Sequence, residues 1–188
     1  ANQAEALRQI EPVETEIRKR LGNLVFGADS DELQHAVARL LAEKQATVAV
    51  AESLTGGLIM YRLCQIPGIS AFFLGGCVAY ANEIKIDQLG VPAESLKRHG
   101  AVSAEVAEAM AEGVRLRYGS DYAISTTGIA GPSGATATKP VGLAYIGLAS
   151  KQGVQHFQVN AFVPHRLDVM NRVAKTALNA LRLELLKP

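Results

Sequence analysis

The segment from Thr47 to Gly57, TVAVAESLTGG, constrains this chain more than any other. Thr47 to Ala51 is a short apolar run with the composition of a buried strand. It ends in Glu52, Ser53 and Thr55 and the pair Gly56-Gly57, and the pattern from Leu58 to Leu63 is helical. A strand that passes directly into a helix makes a site. Backbone N–H groups stand unpaired where the helix begins and its dipole favours negative charge, so the Ser53 hydroxyl is placed to become an alkoxide or to meet an anionic substrate. The glycines allow close backbone approach.

The rest of the chain alternates in the same way. Ile17 and Leu21, with Val13 one turn earlier, put a narrow apolar stripe on a helix from Glu14 to Leu21. Gly22-Asn23 stops it, and Leu24 to Gly27 is a strand candidate. Residues 1–28 are too few for a core, so they are either an arm on the main body or the remaining edge of another unit. The main domain, 29–188, opens with Asp29 and Glu32 at capping-box spacing before Leu33, Val37, Leu40 and Leu41. A helix from Leu58 to Ile66 stops at Pro67-Gly68, a glycine-interrupted strand runs from Ala71 to Tyr80, and Asn82 caps a short helix carrying Lys85. Ser103 opens a helix through Val114 that Gly119 closes, and strand Tyr122 to Ser125 follows.

The stretch Thr126 to Gly134, TTGIAGPSG, is too rich in glycine and hydroxyls for regular structure and reads as a second site loop. Val141 to Ser150 and Val154 to Phe162 are strands joined at hairpin spacing by Lys151-Gln152-Gly153, so one pair is antiparallel. A last helix, about Leu167 to Leu185, carries Leu167, Ala174, Ala177, Leu178, Leu181 and Leu185 on one face. The expected fold is α/β, a three-layer α/β/α sandwich on a mixed sheet.

Composition narrows the function. In 188 residues, 48% apolar, charges of both signs are dispersed and the formal net charge is +1, which gives no case for nucleic acid but leaves small anions open. No apolar run approaches the ~18 residues of a membrane span. Cys64 and Cys77 lack C-x-x-C spacing and read as buried free thiols, in keeping with a soluble cytoplasmic protein.

Ser53, Tyr80 and Lys85 are the chemically suggestive set. A serine hydroxyl needs a base, and a lysine whose pKa is lowered by burial can serve, with the tyrosine relaying a proton. The alternative from spacing alone is that Ser53 caps its helix, Tyr80 packs at a rim and Lys85 is a solvated surface lysine. The glycine loop either cradles phosphate or merely connects; it has neither the dinucleotide fingerprint nor the Walker pair. His35, His99, His156 and His165 are scattered and read as surface or capping residues, and no ligand spacing suggests a metal. Arg166 is either a cation for a ligand phosphate or a surface arginine.

Taken together, AESLTGG at 51–57, PGIS at 67–70, GGCVAYANEIK at 75–85, LGV at 89–91, HGAVS at 99–103, TGIAGP at 127–132 and KPVG at 139–142 resemble the C-terminal domain of the CinA family of competence- and damage-inducible proteins. The resemblance implies a nicotinamide mononucleotide deamidase, an amidohydrolase that makes nicotinate mononucleotide and ammonia without cofactor or metal. It implies Ser53 as nucleophile with Tyr80 and Lys85 as its catalytic partners. It also implies substrate binding through Thr55, Gly56, Gly57, Gly76, Asn82, Thr127, Gly128, Gly131 and Arg166. The partner expected is nicotinamide mononucleotide, with no nucleic acid or membrane, and the chain is expected to form a homo-oligomer, a dimer. A second reading is a nucleotide-binding or regulatory module with little turnover. The segment from Glu14 to Asp29 resembles the end of a KH-like linker found in long CinA proteins. Three positions depart from the family pattern: Leu54 stands where cysteine is common, Pro164-His165-Arg166 where G-D-R is, and Met170 where a second arginine is.

Overall fold

The computed structural model describes residues 2–188. Its centre is a five-stranded mixed sheet in the order β2-β1-β3-β4-β5. β1 (Val48–Glu52) pairs in parallel with both β2 (Phe73–Val78) and β3 (Tyr122–Gly128). β4 (Leu143–Ser150) and β5 (Gly153–Asn160) continue from β3 as antiparallel strands. α2 (Leu33–Lys44), α3 (Leu58–Cys64) and α7 (Arg166–Leu185) cover one face; α4 (Asn82–Leu89), α5 (Ala93–His99) and α6 (Ala104–Tyr118) lie on the other.

The alternation of side chains along the strands decides how each layer packs. Val48, Val50, Ile124, Ile146 and Leu148 point into the core with α2, α3 and α7. The intervening Ala49, Ala51, Ala123 and Ala149 face α6, where small side chains let the helix approach closely. At Gly147 even a methyl group has no room, since a Cβ there would sit 2.2 Å from the Ala107 carbonyl oxygen.

The three-layer sandwich and mixed sheet are as expected; several local elements are not. The first helix, α1, runs Gln3–Leu21 through Pro12, and because it lies in solvent the carbonyl that proline leaves unpaired can be hydrated. Its apolar side chains Leu7, Ile10, Val13, Ile17 and Leu21 are exposed. The expected strand at Leu24 to Gly27 is a 3-10 turn, Gly22–Leu24, and an irregular segment, held by Arg182 on the Asn23 carbonyl and Arg39 on that of Phe26. Without a neighbouring edge to pair with, it is no strand.

The cap of α2 is Glu32 rather than Asp29, with the Glu32 N–H donating to His35 Nδ1, so His35 is a capping residue. Asn82 is the first residue of α4 and caps nothing, because Ala81 takes the N-cap position. The strand expected at Ala71 starts only at Phe73, after a 3-10 turn at Ile69–Ala71, and stops at Val78. β3 extends to Gly128, so Thr126 and Thr127 are strand residues paired with β4 rather than loop. Leu167 is exposed at the start of α7, outside the buried stripe of Val169, Val173, Ala177 and Leu181. Both thiols are free, but Cys64 is exposed and Cys77 half-buried, since each sits beside an edge of the fold. Partial burial pushes the Cys77 thiol above its ordinary pKa, with Arg117 opposing. No helix among the described residues is long and apolar enough to cross a membrane.

Candidate active site

The parallel strands β1, β2 and β3 all end on one edge of the sheet, and the chain leaves β1 toward β2 on one side and later returns to β3 on the other. Crevices form at such switch points, outside the carboxyl ends of the strands. A cleft of about 300 Å³ lies there, lined by Ser53, Tyr80, Asn82, Lys85, Thr127, Gly128, Gly131 and Arg166 among others. Eight of the twelve residues expected at the site therefore meet, although they come from four separate stretches of chain.

Lys85 is the key side chain by its burial, at 1% exposure. It lies in the first turn of α4 and turns back toward the end of β2. Its Nζ donates to the carbonyls of Ala79 (2.8 Å) and Tyr80 (2.9 Å) and lies 3.2 Å from Ser53 Oγ. No carboxylate pairs with it among the described residues. Desolvation holds its pKa below the ordinary lysine value, opposed only by the charge of Glu83. A neutral amine has two N–H bonds and one lone pair. Two carbonyls and one hydroxyl surround the nitrogen and accept all three N–H bonds of its ammonium form; on loss of a proton the two N–H bonds that remain serve Ala79 and Tyr80, and the lone pair faces the Ser53 hydroxyl. The surface-lysine alternative does not fit this geometry.

The N–H groups at the start of α3 are not free. Glu52, fully buried, accepts from Gly57 N–H and Ile59 N–H on Oε2 (3.0 and 3.1 Å) and from Met60 N–H on Oε1 (2.9 Å). The sequence expectation that these donors serve an anion at Ser53 is thus corrected: the chain supplies its own anion. The N–H groups in this turn with no partner among the described residues are those of Leu54, directly after Ser53, and Thr55. The Leu54 side chain packs in the core, so its contribution to the cleft wall is backbone.

Thr55, Gly56, Gly57 and Gly76 do not reach the cleft. The Thr55 hydroxyl shares a 2.7 Å hydrogen bond with Thr126, and Gly57 is engaged by Glu52. Gly56 and Gly57 adopt positive φ, which lets the chain turn from β1 into α3. Gly76 lies where a Cβ would strike the Val50 carbonyl, while its own carbonyl accepts from Tyr118.

On the opposite wall the Thr127 hydroxyl donates to the Ala101 carbonyl at 2.7 Å, and Lys139 Nζ donates to that of His99 at 2.6 Å. These bonds fasten the segment between α5 and α6, so Ala101 and Val102 become wall residues that spacing alone did not indicate. The motif HGAVS was the signal for them. β5 ends on the same edge as β3, and six residues later Arg166 opens α7. Its guanidinium spans the mouth, donating to the Gly131 carbonyl (2.7 Å) and the Tyr80 phenol oxygen (2.8 Å).

The fold and cleft define a three-layer α/β/α domain with a buried Ser–Lys pair at the carboxyl ends of its parallel strands. The CinA C-terminal domain family matches residues 30–185, and the chain belongs to that family. A CinA-like protein of Thermosynechococcus vestitus is 57% identical over 152 residues, 81% of this chain and 36% of that protein. A CinA-like protein of a Cyanothece species is 48% identical over 187 residues, 99% of this chain and 45% of that protein. The chain spans less than half the length of these relatives. Among solved structures, the competence/damage inducible protein CihA of Agrobacterium tumefaciens superposes with a TM-score of 0.80 at 37% identity, covering 87% of this chain and 99% of that one. A CinA superfamily protein of Klebsiella pneumoniae gives 0.79 at 30% identity, covering 84% and 98%.

Proposed function

We propose that this domain is an amidohydrolase acting on nicotinamide mononucleotide, releasing ammonia and nicotinate mononucleotide in cytoplasmic pyridine nucleotide recycling. The observation that carries the reading is the buried Lys85 amine, held by two carbonyls within 3.2 Å of Ser53 Oγ. Ser53 Oγ attacks the carboxamide carbon as its proton passes to Lys85 Nζ. The oxyanion so formed takes the Leu54 N–H as donor, the residue after the nucleophile being a common source of such a donor. Collapse breaks the C–N bond, and Lys85 returns the proton to the departing ammonia. Water then cleaves the acyl ester by the same path, with Lys85 again accepting the proton. The nucleotide phosphate is taken by Arg166 and the glycine loop after β3.

A second reading, a nucleotide-binding module with little turnover, draws on Met170, where the family pattern has a second arginine. Incubation of the purified protein with nicotinamide mononucleotide separates the two. Stoichiometric ammonia and nicotinate mononucleotide support the amidase; saturable binding without either product supports the module.

A further inference from the structure

Glu52 is a buried carboxylate that the reaction above does not use. It pairs with no cation among the described residues and spends both oxygens on the backbone N–H groups of Gly57, Ile59 and Met60. Burying a charge in this way is costly, whereas an ordinary helix cap needs only a serine or threonine hydroxyl. On the other flank of the turn, the Ser53 N–H donates to the Thr126 carbonyl at 2.9 Å and the Thr55 and Thr126 hydroxyls share their 2.7 Å bond. Ser53 and Leu54 lie between these two anchorages, and fully satisfied buried networks of this kind hold a single geometry.

Resting on the reading of Ser53 as nucleophile, we propose that Glu52 and Thr55 are positioning residues that clamp the 53–57 turn from both sides, fixing Ser53 Oγ against Lys85 before substrate arrives. Glu52 has a second effect. By filling the donors at the start of α3 it denies them to the substrate phosphate, which is left to the cation on the far wall.

The test uses Glu52→Gln, Thr55→Val and Thr55→Ser in the full chain, with two readouts: covalent labelling of Ser53 by a fluorophosphonate, and steady-state hydrolysis of nicotinamide mononucleotide. Glu52→Gln and Thr55→Val should each slow labelling per folded molecule at least tenfold and lower kcat by a similar factor, with KM within twofold of wild type. Thr55→Ser, which keeps the hydroxyl, should restore both. The pH midpoint of labelling should not move. Unchanged labelling overturns the proposal, as does a rise in KM at constant kcat, which would put Thr55 against substrate. A displaced pH midpoint also overturns it, since Glu52 would then act on the lysine proton by charge. If Glu52→Gln does not fold, the Thr55 pair decides. A wild type that is labelled at Ser53 but releases no ammonia sinks the amidase reading while the labelling comparison still judges the clamps; a wild type never labelled overturns both.

Discussion

Arg166 Nη2 donates to the phenol oxygen of Tyr80 at 2.8 Å, joining residues 86 positions apart across the mouth of the cleft. With its second bond to Gly131, this guanidinium closes a ring that includes the end of β2, the glycine loop and the start of α7. On the proposed function, an incoming phosphate dianion competes with the phenol and carbonyl oxygens for the same donors, and a pair in which both partners are charged wins such an exchange.

Arg166→Ala should therefore raise KM for nicotinamide mononucleotide about ten- to a hundredfold, the loss of a charge-assisted contact being worth ~1.5–3 kcal/mol. The riboside, which lacks the phosphate, should change little. Parallel kinetics on both substrates check this, and equal losses on both would move the phosphate site elsewhere.

Lys85→Arg keeps a cation but supplies no base, because a guanidinium does not deprotonate in a protein. Its ammonia release should fall as far as that of Lys85→Ala and of Ser53→Ala. An active Lys85→Arg would reduce the lysine to a substrate-binding charge.

Burial holds the Lys85 pKa below its ordinary value, so kcat/KM should rise with pH and level off at a midpoint under that of a free lysine. The sign for stability follows from proton counting. Between the folded and unfolded pKa values the native state binds fewer protons than the unfolded chain, so stability climbs with pH across that window. Lys85→Met should flatten the climb, measured by denaturant midpoints from about pH 5 to about pH 10.

Asp121 lies at the other end of the sheet, where it accepts from the Thr47 N–H and hydroxyl and from Lys151 Nζ. These donors, with Lys151 the largest influence, lower its pKa from 3.8 to about 2. The stability it contributes is complete above the higher value and is lost as pH falls toward the lower one. Partial exposure screens it, so Asp121→Asn should cost about 1 kcal/mol at neutral pH and progressively less as pH falls through about 2, without effect on ammonia release.

Gly113 on α6 lies against α4, where an added Cβ would fall 1.8 Å from the Leu89 carbonyl oxygen. Gly113→Ala should lower stability by about 1–3 kcal/mol, read from thermal or denaturant unfolding.

The strand-to-helix junction at Ser53 was legible because apolar period, polar stop and paired glycines all coincide within eleven residues. The layer order followed from alternation in the same way. α5 was not legible: its seven residues carry no sustained stripe, and none of them is fully buried. Lys85 spacing placed it near Tyr80 but left open whether it faced water, since burial there depends on the return of the chain from β2 into α4. Glu52 stood in the motif without a role, because the donors it satisfies exist only once α3 has formed. The anchorage of Thr55 was hidden for a different reason: its partner, Thr126, is 71 residues away.

The antiparallel placement of β4 has a consequence for how such a domain can diversify. A parallel partner for β3 would demand a crossover helix packed on the sheet, whereas here residues 129–142 merely bridge two adjacent strand ends above the cleft. Little of that bridge enters the core, so its length and composition can drift while the Ser–Lys pair, mounted on the other side of β1, keeps its geometry. On the proposed function, chemistry would sit on one part of the chain and part of the substrate selectivity on another, so exchanging this bridge is the direct way to alter the guest while leaving the Ser–Lys pair in place.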